Sequence, residues 1–174
     1  MTTWVVLATG QSLSPEQVAH VRRAHEEQRC KAVAVSNAYQ LTPWADVMVS
    51  NDMKWWRQHP QALQFAGRKF CGGEHKGTER LKPESMFPAG SNSGLQGMRV
   101  ALMLGASRIV LLGMDMHGTH YFGNHPAALK NSTPADFHRM LRQFQRWKSD
   151  VEVINCSPGS ALTCFKTASL ADML

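Results

Sequence analysis

The 174 residues predict one mixed α/β domain built on a mostly parallel sheet with helices on both faces. Three observations carry this. Short apolar runs at 4–8, 32–35, 46–50, 108–113 and 151–155 alternate with stretches whose apolar residues recur at helical spacing. The runs are apolar at successive positions, as in strands buried on both faces, whereas a half-exposed antiparallel sheet alternates. Most runs end in Gly, Asn, Asp or Ser, which close a strand into a turn. Together these describe a single Rossmann-like domain over residues 1–174.

Taken in order, Trp4–Ala8 is the first buried strand, turning at Gly10. Ser14 then caps a helix over 14–29, with Pro15 at its first position and Gln17 completing a capping box. Strands follow at 32–35 and 46–50, and a short helix over 54–58 stops near Pro60. Residues 61–67 continue it after a kink, and Arg68–Cys71 reads as a further short strand. Residues 72–92 carry glycines, prolines and charges with no period, and are expected to be a long basic loop or two small strands. Residues 93–104 form an apolar helix with Gly105 at its C-cap. The most apolar strand, 108–113, leads into a His-rich loop or lid over 116–132. A last helix starts at Thr133, a last strand covers 151–155, and a short helical tail closes at 170–174.

Apolar residues make up 43% and charged residues 18%, which excludes a disordered chain, a collagen and a coiled coil. Nineteen Lys and Arg against thirteen Asp and Glu leave a net charge of +6, suited to a nucleotide, a sugar phosphate or nucleic acid. The apolar start is far too short to span a bilayer, so no membrane partner is expected. Cys30, Cys71, Cys156 and Cys164 form no CxxC or zinc spacing. They read as reduced, mostly buried thiols of a cytoplasmic protein.

In a parallel α/β sheet, ligands bind beyond the carboxyl ends of the strands. Gly10, Gln11 and Ser12, Asn37, Asn51 and Asp52, Asp115, and Asn155 to Ser157 should therefore converge on one cleft, where Gly10, Gln11, Ser12, Asn37, Asn51 and Asp52 would contact a nucleotide. Each Asn, Asp or Ser also makes turns, so it is their recurrence that points to a site. Ser93 and Gly94 open a helix whose free amides suit a phosphate. Asp115 could bind a proton, a sugar hydroxyl or a metal. His117, His120 and His125 are candidate general bases, since neutral imidazole accepts a proton near pH 7. His117 and His120 form H-x-x-H, but without the HExxH glutamate no metal site is assigned. Arg68, Lys69, Lys76, Arg80 and Lys82 could close over phosphates or lie along nucleic acid.

The piece running from Ser93 and Gly94 through an apolar helix to Ala101–Asp115 resembles a signature of certain bacterial sialyltransferases. It is similar, too, to the motility accessory factor glycosyltransferases, to archaeal 6-hydroxymethylpterin diphosphokinases, and to short proteins of tailed phages and prophages. Gly10–Leu13 resembles their Gly-Asn-Gly-Pro-Ser-Leu turn, although Gln11-Ser12 replaces its Asn/Gly-Pro-Ser. Asn37, Asn51 and the closing segment Asn155–Leu162 match by position. The resemblance implies nucleotide contacts at Gly10, Asn37, Asn51, Ser93 and Gly94, and a donor such as a CMP-sugar. The chain is shorter than the sialyltransferases and lacks the full lid carrying their tyrosines and catalytic histidine; His125 is the nearest candidate for that base. The expected function is nucleotide-sugar binding with glycosyl transfer to an acceptor, with no further cofactor. The alternatives are a diphosphokinase, needing Mg²⁺ at Asp115 or Asp52, and a non-catalytic nucleotide- or nucleic-acid-binding phage protein. The cytoplasm is the expected compartment, the host's if the gene is a phage's.

Overall fold

Trp4, Val5, Val6 and Leu7 are all buried, because the strand they form, β1 (Thr3–Leu7), has a strand on each side and a layer of helices on each face. The structure, a computed structural model, describes residues 2–174. In chain order the other elements are α1 (Pro15–Glu26), β2 (Cys30–Val35), β3 (Val47–Ser50), α2 (Met53–Gln58), β4 (Arg68–Cys71) and β5 (Glu79–Arg80), then α3 (Ser93–Met103), β6 (Arg108–Leu112), α4 (Pro134–Phe144), β7 (Glu152–Asn155) and β8 (Lys166–Thr167). The strands form one eight-stranded sheet in the order β5-β4-β3-β2-β1-β6-β7-β8, and every neighbouring pair is parallel. This is the Rossmann-like α/β architecture. The chain steps outward from β1 to β5, returns along α3, and resumes on the far side of β1 at β6. The order therefore reverses between β1 and β6, where such sheets open a crevice.

The side-chain period of two sorts the core into two layers. Val6, Val33, Val35 and Val49 face α3 and α4, meeting Leu95, Met98 and Phe144. Val5, Leu7, Ala34 and Met48 face α1 and α2, meeting Val21, Ala24 and Trp56. Gly97 lets α3 lie close on the sheet: a Cβ there would come 2.8 Å from Val6 Cγ1 and 3.0 Å from Val35 Cγ2.

Local chemistry sets the helix ends. The Ser14 hydroxyl accepts from the Gln17 amide at 3.3 Å and Gln17 Oε1 accepts from the Ser14 amide at 3.1 Å, the expected capping box. Thr133 and Asp136 make the same reciprocal pair at α4. α1 ends at Glu26, three residues before the expected limit. The kink at Pro60 is a switch to a 3₁₀ turn over Pro60–Gln64, and the tail is a single 3₁₀ turn at Leu170–Asp172.

Residues 72–92 are pinned rather than free. They contain the edge strand β5, and Leu81 and Phe87 are buried in the α3 layer. Arg99, on α3 and only 4% exposed, pairs with Glu84 and lies 5.0 Å from the centre of the Phe87 ring. Among the described residues, Cys30, Cys71 and Cys156 are buried, Cys164 is exposed, and all four are free thiols. No described helix is long and apolar enough to cross a membrane.

Candidate functional site

The carboxyl ends of the central strands open into a cleft of about 720 Å³. Its floor is the edge of the sheet, and one wall is the amino end of α3. Residues 81–93 form a second wall, and the 116–132 loop, with Phe137 and Met140 of α4, covers the remainder.

Nine of the expected residues line it: Gly10, Asn51, Asp52, Ser93, Gly94, Asp115, His117, His120 and His125. Gln11, Ser12, Asn37 and residues 155–157 do not, and have structural tasks instead: Asn155 Nδ2 donates to the Leu162 carbonyl at 3.3 Å and the Ser157 hydroxyl accepts from the Met114 amide at 2.9 Å. Ser12 donates from its amide to Asp115 Oδ2 at 2.8 Å, and its hydroxyl bonds the same carboxylate. The turn that leads into α1 thus already holds an internal carboxylate. Gly10 is indispensable to this arrangement. Its amide donates to the Gly113 carbonyl at 2.8 Å, and a Cβ would come 2.5 Å from Asp115 Cγ. Gln11 is exposed and reaches toward the Thr119 amide. Asn37 is buried, with its Oδ1 accepting from Trp55 Nε1 at 2.7 Å and its carbonyl accepting from the Tyr121 hydroxyl at 2.9 Å.

The neighbour of Asn37 faces the cleft in its place. Ser36 has a left-handed backbone (φ 48°), uncommon for a residue with a Cβ, and its hydroxyl lies 3.0 Å from that of Ser50. Strand-end reasoning missed Ser36 by one position, a shift that no side-chain pattern reveals. It also missed Gln96, 2% exposed and bordering the cleft. A polar residue on the apolar face of α3 was the available signal.

The α3 wall is tied to β3. The Ser93 hydroxyl accepts from the Asn51 amide at 2.9 Å, and Asn51 Nδ2 donates to the Ser91 carbonyl at 2.5 Å. Asn92 caps the helix, its Oδ1 accepting from the Leu95 amide at 2.9 Å. Ser93 and Gly94 occupy the first two helical positions, whose amides have no intrahelical acceptor. They present free donors and the positive end of the helix dipole to the cleft. Asp52 caps α2, accepting from the Lys54 amide at 2.7 Å.

The loop over 116–132 is stitched to β1. Tyr121 donates its amide to the Thr9 carbonyl at 2.8 Å, and His120 bridges to Gly10. The His120 ring stacks on Phe122 at 4.8 Å, and its Nδ1 lies 2.7 Å from the Thr9 hydroxyl. Burial, and then the neighbouring His125, push its pKa down to about 4. The His125 ring is 4.5 Å from His120. Burial and His59 lower its pKa against the opposing pull of Asp52, and its Nδ1 is buried without a hydrogen-bond partner among the described residues. Both rings are therefore neutral at pH 7. His117 is exposed, its Nε2 resting on the Gly159 carbonyl at 3.0 Å.

In the basic stretch beside the cleft the two arginines are ion-paired, while Lys76 and Lys82 have no ion-pair partner among the described residues. Arg68 makes two bonds to Glu79 (2.8 and 2.7 Å), Arg80 pairs with Glu74 at 2.5 Å, and Lys69 donates to the carbonyls of Phe65 and Gly67. Among the described residues, no group of three His, Cys, Asp or Glu side chains is placed to hold a metal ion.

Set against protein families, curated proteins and solved structures, the chain matches none.

Proposed function

We propose that the cleft binds a nucleotide sugar by its phosphate and transfers the sugar to an acceptor hydroxyl. The observation that carries this reading is the pairing, across one cleft, of the free α3 amides of Ser93 and Gly94 with the neutral, unpartnered imidazole of His125. His125 takes the acceptor proton as the acceptor oxygen bonds to the anomeric carbon. The bond from that carbon to phosphate oxygen breaks, and the phosphate leaves with the electron pair toward the α3 amides. Asn51 and Ser93 hold the helix end in register with β3. The likeness of 93–94 and 101–115 to bacterial sialyltransferases supports the same reading and suggests a CMP-sugar donor. The free thiols suit the reducing cytoplasm, the host's if the gene is a phage's.

The test is thermal unfolding with CMP, UDP, GDP and ATP, each with Mg²⁺ and with EDTA. At a hundred times Kd a nucleotide adds about 2.7 kcal/mol, or roughly 5–10 °C for a chain of this size. The expected result is a shift that persists in EDTA. No shift with any nucleotide overturns the reading. A shift with ATP alone that vanishes in EDTA replaces it with the diphosphokinase.

A further inference from the structure

We propose that the outer face of α4 and the turn after it is a docking surface for the phosphate backbone of nucleic acid. This goes beyond the cleft reading and does not depend on it. α4 has two faces. Phe137, Met140 and Phe144, at i, i+3 and i+7, turn toward the cleft and core. Arg139, Arg142 and Arg146 repeat that spacing on the opposite side, and all three are exposed. Arg146 and Trp147 donate to the carbonyls of Gln143 (3.2 Å) and Phe144 (2.9 Å), so the coil continues one turn past the helix and carries exposed Lys148.

No acidic residue occurs between Asp136 and Asp150. Arg139 is paired with Asp136, while Arg142, Arg146 and Lys148 have no ion-pair partner among the described residues. Other exposed cations without an ion pair among the described residues, such as Arg23, Lys54 and Lys82, are scattered over separate elements, whereas these share one helical stripe. The helix dipole favours a cation in the last turn, which accounts for one arginine and not for four successive cations. The three guanidinium groups span about 10 Å of helix rise, room for about three phosphates along one strand. Guanidinium forks match phosphate oxygens two bonds at a time. The sequence located nucleic-acid binding in the stretch from Arg68 to Lys82, whose two arginines are ion-paired with Glu79 and Glu74. On the outer face of α4 the unpaired cations instead follow one helical spacing with no acidic residue among them.

The test is fluorescence anisotropy with a labelled duplex DNA of about 20 base pairs in 50–200 mM KCl. With three to four phosphate contacts, affinity should fall roughly 60-fold across that range. R142A/R146A should weaken binding more than ten-fold at 50 mM salt and reduce the log–log salt slope by about two. R22A/R23A, on the opposite layer, should bind as wild type. Alanine suits a helix, so circular dichroism should be unchanged. Any shift in thermal unfolding with nucleotide should be the same in R142A/R146A as in wild type, which separates this surface from the cleft. The proposal is overturned if DNA is not bound, if R142A/R146A binds it as tightly as wild type, or if heparin or polyglutamate binds and DNA does not.

Discussion

His125 is the side chain on which the proposed transfer turns. Its Nδ1 is buried and unpartnered while the ring packs against His120 and Phe122. An orphaned polar atom of this kind costs stability. His120 is the poorer base, since its Nδ1 lies against the Thr9 hydroxyl and its pKa sits near 4; it positions its neighbour. His125→Ala should therefore cut nucleotide-sugar hydrolysis, with water as acceptor, by about 10²–10⁴-fold. The nucleotide-induced shift in thermal unfolding should survive, because proton transfer acts only in the transition state. His117→Ala should be nearly silent. Equal rates in wild type and His125→Ala would remove the base from the mechanism. Asp115 shows the opposite case. Its carboxylate borders the cleft but is engaged by Ser12, and it stabilises the turn between β1 and α1.

α3 and the segment before it act as one wall. Glu84 is 60% exposed, yet its partner Arg99 is buried, which makes the pair asymmetric. Glu84→Ala leaves a guanidinium with only Gln96 and the Phe87 face for company. The expected cost is about 2 kcal/mol in chemical denaturation, against less than about 0.5 for an ordinary exposed glutamate. A loss within that smaller figure would show the wall is held by apolar packing alone. This wall is also where the sequence was least legible. The buried strands, the capping boxes and Gly105 at the end of α3 are local features, and local chemistry announces them. Leu81, Phe87 and Arg99 acquire their roles from partners far along the chain, so no period marks them. The same holds in the cleft. Ser93 and Gly94 advertise a helix start, but that Asp115 ties down the turn at Ser12 depends on β6 lying beside β1.

The titrating groups give the folded chain a pH window. His120 titrates near 4 when folded and near 6.5 when unfolded, so between those values the unfolded chain binds more protons. Stability conferred by the neutral ring is complete above about 6.5 and is lost as pH falls toward 4. His125 acts in the same sense, and so does Asp136, whose carboxylate Thr133 and Lys130 hold well below its usual range. On the alkaline side, burial pushes Cys30 and Cys156 up to about 11, so their contribution falls as pH climbs from about 8.5. The melting temperature should be highest between about pH 6.5 and 8.5. His120→Gln should flatten the acid limb between pH 6.5 and 4, whatever it does to the plateau. A limb parallel to wild type would place the acid sensitivity elsewhere.

The sheet ends on each side in a two-residue strand, Glu79–Arg80 at one edge and Lys166–Thr167 at the other, and all four residues are exposed. An open edge is a template on which a second chain can polymerise. Here each edge offers too few backbone groups to hold an added strand, and charged side chains flank them. The apolar runs that would seed fibrils, in β1, β2 and β6, lie at the centre of the order with both sides paired. Aggregation on heating should thus require opening of the interior, so the folded protein should tolerate high concentration better than its apolar content suggests.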